Sequence, residues 1–94
     1  MRKSEIVNRI AEETGLTKVK AEEAVDAILE QVKAELRRGE PVILRRFGSF
    51  EVRHKRARVG RNPKTGEQAD IPARRVVRFK SGKHFREVVN VKPS

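Results

Sequence analysis

The feature that most constrains the fold is a basic ribbon, residues 53–75, built around a glycine-flanked turn. From Arg53 onward, basic residues replace the apolar side chains that alternated with polar ones before it. A strand that is polar on both faces has no core to lie on, so we expect this ribbon to project as an arm. Its turn holds one rigid apolar ring, Pro63, between Gly60 and Gly66. The sequence therefore predicts a small body with a protruding arm.

The first forty residues indicate two helices joined by a short corner. Apolar residues recur at helical spacing over 4–14 and again over 18–38. Gly15 ends the first pattern, Thr17 is a suitable N-cap for the second helix, and Gly39 is a suitable residue to end it. We therefore expect a helical hairpin.

The residues after Pro41 indicate a β-sheet and a short last helix. We expect a strand over 42–44, a turn at 45–46, a longer strand over 47–59, a returning strand over 67–80 and a helix over about 82–91, with a loose tail at 92–94. The predicted fold class is α+β, with a three-stranded antiparallel sheet whose ribbon protrudes. All 94 residues form one domain, 1–40 as its helical part and 41–94 as its sheet part.

Charge is distributed unevenly between these two parts. The net charge is +10, yet residues 1–40 hold eight basic and nine acidic side chains, whereas residues 41–94 hold fifteen and four. A neutral part joined to a strongly cationic part suggests a scaffold that carries a polyanion-binding surface. Nucleic acid is the favoured polyanion, because no segment sets basic residues opposite large apolar ones along an amphipathic helix, as membrane binding requires.

Composition excludes several other classes of protein. The chain has no cysteine, so disulfides and thiolate metal sites are excluded. It has no long apolar run, so we expect neither a membrane span nor a signal peptide. His54 and His84 are too few for a metal site, and Glu67 and Asp70 are the only acids near the arm. We expect no cofactor, no small-molecule substrate and no catalysis.

Four motifs give the chain a family resemblance. They are Phe47-Gly48-Ser49-Phe50, Gly60-Arg61-Asn62-Pro63-Lys64-Thr65-Gly66-Glu67, Ile71-Pro72-Ala73 and Phe79-Lys80-Ser81-Gly82-Lys83. With them, essentially the whole chain resembles the bacterial HU and integration host factor family of DNA-bending proteins. The resemblance implies an intertwined dimer whose two arms reach around double-stranded DNA through the minor groove. It also implies that a proline at each arm tip wedges between base pairs and bends the duplex.

One residue departs from the family pattern. The position before Phe47 is usually glycine in the family, and here it is Arg46. Glycine can take a positive φ there that arginine resists, so the turn is a point of difference. Arg46 either contacts a phosphate or faces solvent.

The resemblance and the charge pattern together nominate seventeen DNA-binding residues. At the tip and along the arm they are Pro63, Arg61, Asn62, Lys64, Arg53, Lys55, Arg58, Arg74, Arg75 and Arg78. On the body they are Lys3, Arg45, Arg46, Lys80, Ser81, Lys83 and Arg86.

Several of these residues also have simpler structural interpretations. Pro63 is otherwise an ordinary turn proline, and Asn62 can also serve as a left-handed turn residue. Strand alternation favours Arg53, Lys55 and Arg75 over Arg56 as residues that face DNA. Ser81 is a suitable N-cap for the last helix, whose free N–H groups then suit a phosphate.

A domain of this size is marginally stable alone, and dimerisation supplies the missing core. The apolar residues expected in a core shared between two protomers are Phe47, Phe50, Phe79, Phe85, Ile28, Leu29 and Val32.

The hypothesis is a homodimeric, histone-like protein of the bacterial cytoplasm and nucleoid that bends or compacts DNA with little sequence specificity. One alternative is an integration host factor subunit that pairs with a different chain at defined sites, which Arg45 and the segment Arg74-Arg75-Val76-Val77 favour. An alternative of another class is an RNA-binding or ribosome-associated basic protein. That class usually stacks bases on exposed aromatic side chains, and here every phenylalanine is assigned to the core.

Overall fold

A computed structural model of the chain describes residues 1–90. In chain order its elements are α1 (Lys3–Thr14), α2 (Lys18–Arg37), β1 (Val42–Leu44), β2 (Gly48–Lys55), β3 (Arg58–Arg61), β4 (Gln68–Ile71), β5 (Arg74–Ser81) and α3 (Lys83–Val89). The α+β class is confirmed. The chain divides into two compact units, Met1–Glu35 and a second unit that begins at Leu36.

The first unit holds α1 and most of α2, and local chemistry sets their ends. Gly15 takes a left-handed conformation (φ 75°) and donates its N–H to the carbonyl of Ala11. Thr17 caps α2, because its Oγ1 accepts the N–H of Lys20 at 3.2 Å. The helices begin and end within a residue of the predicted bounds, and the predicted cap is confirmed.

The core of the first unit is small. Val7, Ala21 and Val25 are its buried side chains, with partly buried apolar residues of α1 packed against them. Ile28 and Leu29, further along α2, stay 60% and 48% exposed. The apolar stripe of α2 is therefore longer than the part that this chain covers.

In the second unit, β1, β2 and β5 form an antiparallel sheet in the order β1-β2-β5. Residues that lie directly opposite each other share a face of a sheet. Phe50 faces Phe79 and Val52 faces Val77, so these four share one face, which Val42 of β1 joins through its pairing with Phe50. We call this side of the sheet the apolar face.

The apolar face is only half covered in one chain. Phe79 is 39% exposed and Val77 63% exposed. Phe47 and Phe85 pack beside the face, with ring centroids 5.0 Å apart, and Phe47 lies 5.4 Å from Phe79. The four phenylalanines thus form one cluster, as expected of core residues, yet no one of them is buried.

The arm is a separate two-stranded sheet formed by β3 and β4. The predicted continuous strands over 47–59 and 67–80 are wrong, because each is interrupted where the arm meets the body. The interruptions fall at Arg56-Ala57 and Pro72-Ala73. Pro72 has no N–H to donate to a ladder, so the break on that strand has a direct cause.

Two local predictions after the arm need correction. The last helix begins at Lys83 with Gly82 as its N-cap and no side-chain cap, whereas Ser81 is the last residue of β5. The predicted cap by Ser81 is therefore wrong, because the strand extends through that position to pair with Gly48. The predicted end near residue 91 and the loose tail at 92–94 lie outside the described residues.

Candidate nucleic-acid interface

The sheet face opposite the apolar face is basic. The pairs Ser49–Lys80, Glu51–Arg78, Arg53–Val76 and Lys55–Arg74 alternate with the apolar pairs and so share this second side. We call this side of the sheet the basic face. It gathers five of the nominated DNA-binding side chains, Arg53, Lys55, Arg74, Arg78 and Lys80, which the sequence separates by up to 27 positions.

Four of these side chains, Arg53, Lys55, Arg74 and Arg78, also line a groove at the root of the arm, together with His54 and Val77 of the other side of the sheet. This groove has a volume of about 590 Å³ and is lined by Arg53, His54, Lys55, Arg56, Arg58, Arg74, Val76, Val77 and Arg78. Six of its nine lining residues are arginine or lysine and none is acidic, which favours a polyanionic occupant. Glu51 lies outside the groove and makes an ion pair with Arg53 at 3.6 Å.

Arg56 lines this groove although strand alternation ranked it below its neighbours. The strand is interrupted at that residue, so alternation no longer decides which way its side chain points. Pro72, which lies across the arm root, was the signal in the sequence that could have revealed the break.

Arg75 does not share the basic face with Arg53 and Lys55. It pairs with His54 and therefore lies on the opposite side of the sheet. Its guanidinium donates to two carbonyls at the end of α2, from Nη2 to Leu36 at 2.9 Å and from Nη1 to Arg37 at 3.1 Å. That Arg75 faces DNA together with Arg53 and Lys55 stays a prediction, but the register sets its side chain on the other side of the sheet from theirs.

The arm tip is a hydrogen-bonded loop that presents Pro63 at its end. Asn62 Oδ1 accepts the N–H of Lys64 at 2.9 Å, and the Asn62 carbonyl accepts the N–H of Gly66 at 2.7 Å. Gly66 has a φ of 72°, and Asn62 N–H donates to the carbonyl of Glu67. Pro63 is exposed.

The interpretation of Asn62 as a left-handed residue is wrong. Gly66 takes the positive φ of the loop instead, while the Asn62 side chain holds the loop from within. Its carboxamide NH₂ is the part of the side chain that remains available as a donor to a ligand.

A second concave region lies beside the β1–β2 turn. It has a volume of about 630 Å³, and its basic lining residues are Arg45, Arg46, Lys80, Lys83 and His84. Arg46 is the one non-glycine residue with a positive φ (67°) among those described, and its Nη2 lies 3.4 Å from both ring nitrogens of His84. Arginine thus adopts the conformation that glycine would take at this position, and its head group contacts the body.

Other nominated residues of this region already have partners within the protein. Arg86 Nη1 donates to the carbonyl of Ser81 at 2.7 Å, which ties α3 to the end of β5. Lys83 lies 4.0 Å from Glu87 in an exposed pair. Such an exposed pair contributes little to stability.

Lys3 belongs to the first unit and is described there alone. Its Nζ lies 2.5 Å from Oδ1 of Asp26, and this hydrogen bond to the carboxylate raises the pKa of Lys3 above its ordinary value.

Within residues 1–90, no three His, Asp or Glu side chains gather as a metal site would require. No helix in that range is both long and apolar enough to cross a membrane.

Comparison with known proteins agrees with this geometry. The sequence model of the bacterial DNA-binding protein family matches residues 1–90. The DNA-binding protein HRL18 of Rhizobium leguminosarum is 49% identical over 90 residues, which covers 96% of this chain and 99% of the relative. DNA-binding protein HU of Geobacillus stearothermophilus is 48% identical over 89 residues, which covers 95% and 99%.

Solved structures show the same fold. An Anabaena HU–DNA cocrystal structure superposes with a TM-score of 0.87 at 47% identity, covering 96% of this chain and 98% of that one. HU from Thermotoga maritima superposes with a TM-score of 0.69 at 31% identity, covering 96% and 100%.

Proposed function

The chain belongs to the HU family of bacterial DNA-binding proteins, and from that premise we propose that it binds double-stranded DNA and bends it. The protein acts as a binding and architectural protein rather than an enzyme, in the bacterial cytoplasm and on the nucleoid. It recognises the deformability of the duplex more than its base sequence, because minor-groove contacts distinguish mainly A·T from G·C.

The observation that carries this proposal is the segregation of charge on the sheet. Five basic side chains share one face, the other face carries Phe50, Val52, Val77 and Phe79, and four of the five basic side chains also line the groove at the arm root. Phosphates that settle on this surface release counterions, which supplies affinity without sequence preference.

We assign the bending step to the arm tip. The loop that Asn62 and Gly66 hold together leaves the Pro63 ring exposed at its end, beside Arg61 and Lys64. A rigid apolar ring in this position is suited to enter between two base pairs of a widened minor groove. Arg61 and Lys64 then neutralise phosphates next to the inserted ring.

We propose that the working form is a homodimer. The apolar face, the ring cluster of Phe47, Phe50, Phe79 and Phe85, and the α2 residues Ile28, Leu29 and Val32 supply the shared core. The partial exposure of these side chains in a single chain supports this assignment, because a second protomer removes that apolar surface from water.

The decisive experiment measures energy transfer between dyes at the two ends of a short duplex over a salt series. The native chain raises transfer when it bends the duplex, and Pro63→Ala binds but raises it less. Pro41→Ala, which lies before β1, is the matched control and behaves like the native chain. If neither the native chain nor Pro63→Ala raises transfer at saturation, the bending proposal is wrong and the arms only grip the backbone.

The two alternatives give different results. A lone integration host factor subunit aggregates or unfolds without its partner, whereas a homodimer gives one mass and one cooperative unfolding transition. Arg75, one of the residues that favoured the heterodimer, is engaged with α2. An RNA-binding protein prefers single-stranded RNA to duplex DNA in direct competition.

A further inference from the structure

We propose that Arg75 is a positioning residue that anchors the root of the arm to the end of α2, so that force from bent DNA on the arm tip is transmitted to the body. This inference rests on the proposed bending function, and it assigns Arg75 a role other than the phosphate contact that its charge and position in the sequence suggest.

Arg75 lies in the body sheet at the point where the arm begins. It is the second residue of β5, and it follows the break at Pro72-Ala73 that separates the arm from the body. The pairs Lys55–Arg74 and His54–Arg75 are the last two of the body sheet before the arm begins. Any restraint on Arg75 therefore acts where the arm would pivot.

The side chain of Arg75 points away from that of its neighbour Arg74. Arg74 lies on the basic face, and Arg75 lies on the opposite side of the sheet. Arg74 and Arg75 are adjacent in the sequence but have different surroundings, and the sequence alone does not reveal this difference. Arg75 is exposed to solvent, but its guanidinium is held by two backbone carbonyls.

The contact between the Arg75 guanidinium and the end of α2 suits both partners. The last carbonyls of a helix have no partner within the helix, and a cation there is also favoured by the helix dipole. Arg75 donates from two different nitrogens to two successive carbonyls, those of Leu36 and Arg37. The planar fork of arginine fits such a pair, whereas the single ammonium of lysine does not.

The end of α2 that Arg75 contacts is itself held in place by the protein. The carbonyl of Leu36 also accepts the N–H of Gly39, which turns the chain out of α2 at a φ of 83°. Leu36 is 8% exposed and is the one buried residue among those described in the second unit. Arg75 is therefore attached to a rigid point and not to a mobile surface.

Bent DNA exerts force on the arm tip. An arm that pivots at its root would move with this force, and the duplex would then stay straight. The prediction is that loss of the anchor lowers the bend and leaves the phosphate contacts intact. This distinguishes a positioning residue from a DNA contact, because each lost phosphate contact lowers the salt slope of binding by about 0.9.

The test compares Arg75→Ala, Arg75→Lys and Arg74→Ala in the full chain, with salt-dependent binding and end-to-end energy transfer at saturation. Arg75→Ala is expected to keep the native salt slope and lose transfer, and Arg75→Lys to recover part of it. Arg74→Ala is the matched control on the basic face, and its salt slope is expected to fall. If Arg75→Ala does not fold, Arg75→Lys carries the comparison.

Amide hydrogen exchange without DNA gives a second measurement. Loss of the anchor is expected to speed exchange at Gly39 and in the first residues of β5. A lower salt slope for Arg75→Ala overturns the proposal in favour of a phosphate contact, and native transfer in that variant also overturns it. If the native chain itself fails to bend DNA, the proposed bending function is wrong. The anchor is then tested by hydrogen exchange alone, and exchange rates in Arg75→Ala that equal the native rates overturn it.

Discussion

At the scale of single residues, Arg46 shows how a site can hold an unfavourable backbone conformation. Its φ of 67° costs an L-residue about 1–2 kcal/mol relative to the right-handed region, a cost that glycine avoids. The side chain gains only an exposed contact with His84 at 3.4 Å. Strain retained without an evident gain in stability suggests a role in binding, and the basic region around Lys80 and Lys83 is where that role fits.

The first prediction concerns Arg46→Gly. The relieved backbone is expected to raise the free energy of unfolding by about 0.5–1 kcal/mol, after allowance for the greater unfolded-state freedom of glycine. DNA binding is expected to weaken, with a salt slope lower by about 0.9 for one lost phosphate. Denaturant unfolding and salt-dependent titration measure the two effects.

Arg46→Lys is the control for this prediction. It keeps the charge and the strained backbone, so both stability and salt slope should stay near the native values. A glycine variant that is more stable and binds DNA with the native salt slope would show that Arg46 only faces solvent.

At the scale of elements, Gly48 shows how closely β2 and β5 approach. A Cβ at Gly48 would lie 2.5 Å from the carbonyl oxygen of Lys80 and 2.7 Å from the ring of Phe79. Because a backbone atom cannot be displaced as a flexible side chain can, the two strands would have to separate. The aromatic cluster sits at the same place, so its packing depends on this glycine.

The second prediction follows from that contact. Gly48→Ala is expected to lower the free energy of unfolding by about 1–3 kcal/mol, as overpacking does in cores. Ser49→Ala, the next residue on the opposite face, is the matched control and should change it little. Equal stability of the two variants in thermal or denaturant unfolding would contradict the close approach.

The elements also show what could be predicted from the sequence. Helices α1 and α2 were predictable within a residue, because periodic apolar residues, Thr17 and two glycines all indicate the same bounds. The break in the arm strands was not predicted, although Pro72 signals it on one strand. No local sequence signal marks the break at Arg56 on the other strand. That break arises from how the strands pair and not from the conformational preference of the residue.

The candidate site was predictable in composition but not in arrangement. The sequence indicates which residues are basic, and the tip loop follows from its glycines and proline. The side on which Arg74 and Arg75 lie depends on the register between β2 and β5, which forms between residues 19 to 33 positions apart. Long-range register and the contact with α2 are therefore the parts that local reasoning could not supply.

At the scale of the whole molecule, the single chain leaves apolar surface uncovered on both of its units. Ile28 and Leu29 are 60% and 48% exposed in the first unit, and Val77 and Phe79 are 63% and 39% exposed in the second. Covering a large aliphatic side chain of this kind contributes about 1.5–3 kcal/mol. A chain whose own buried core consists of a few residues gains most of its stability from a second copy, so stability should depend on protein concentration.

The last prediction uses two exposed apolar strand residues that lie on opposite faces. Val77 on the apolar face is 63% exposed in one chain, and Ile43, which pairs with Ser49 and so joins the basic face, is 76% exposed. In a single chain the two would tolerate a charge about equally. In the proposed dimer only Val77 becomes buried, and an unpaired carboxylate there costs about 3–5 kcal/mol.

Val77→Asp is therefore expected to dissociate or unfold the dimer, which sedimentation and thermal unfolding at several concentrations measure. Ile43→Asp is expected to keep the dimer and its stability but to weaken DNA binding, because it places a negative charge in the concave region that Ile43 lines with Lys80 and Lys83. If Val77→Asp remains a stable dimer, the shared core lies elsewhere. If Ile43→Asp binds DNA as tightly as the native chain, the basic face is not the side of the sheet that the duplex occupies.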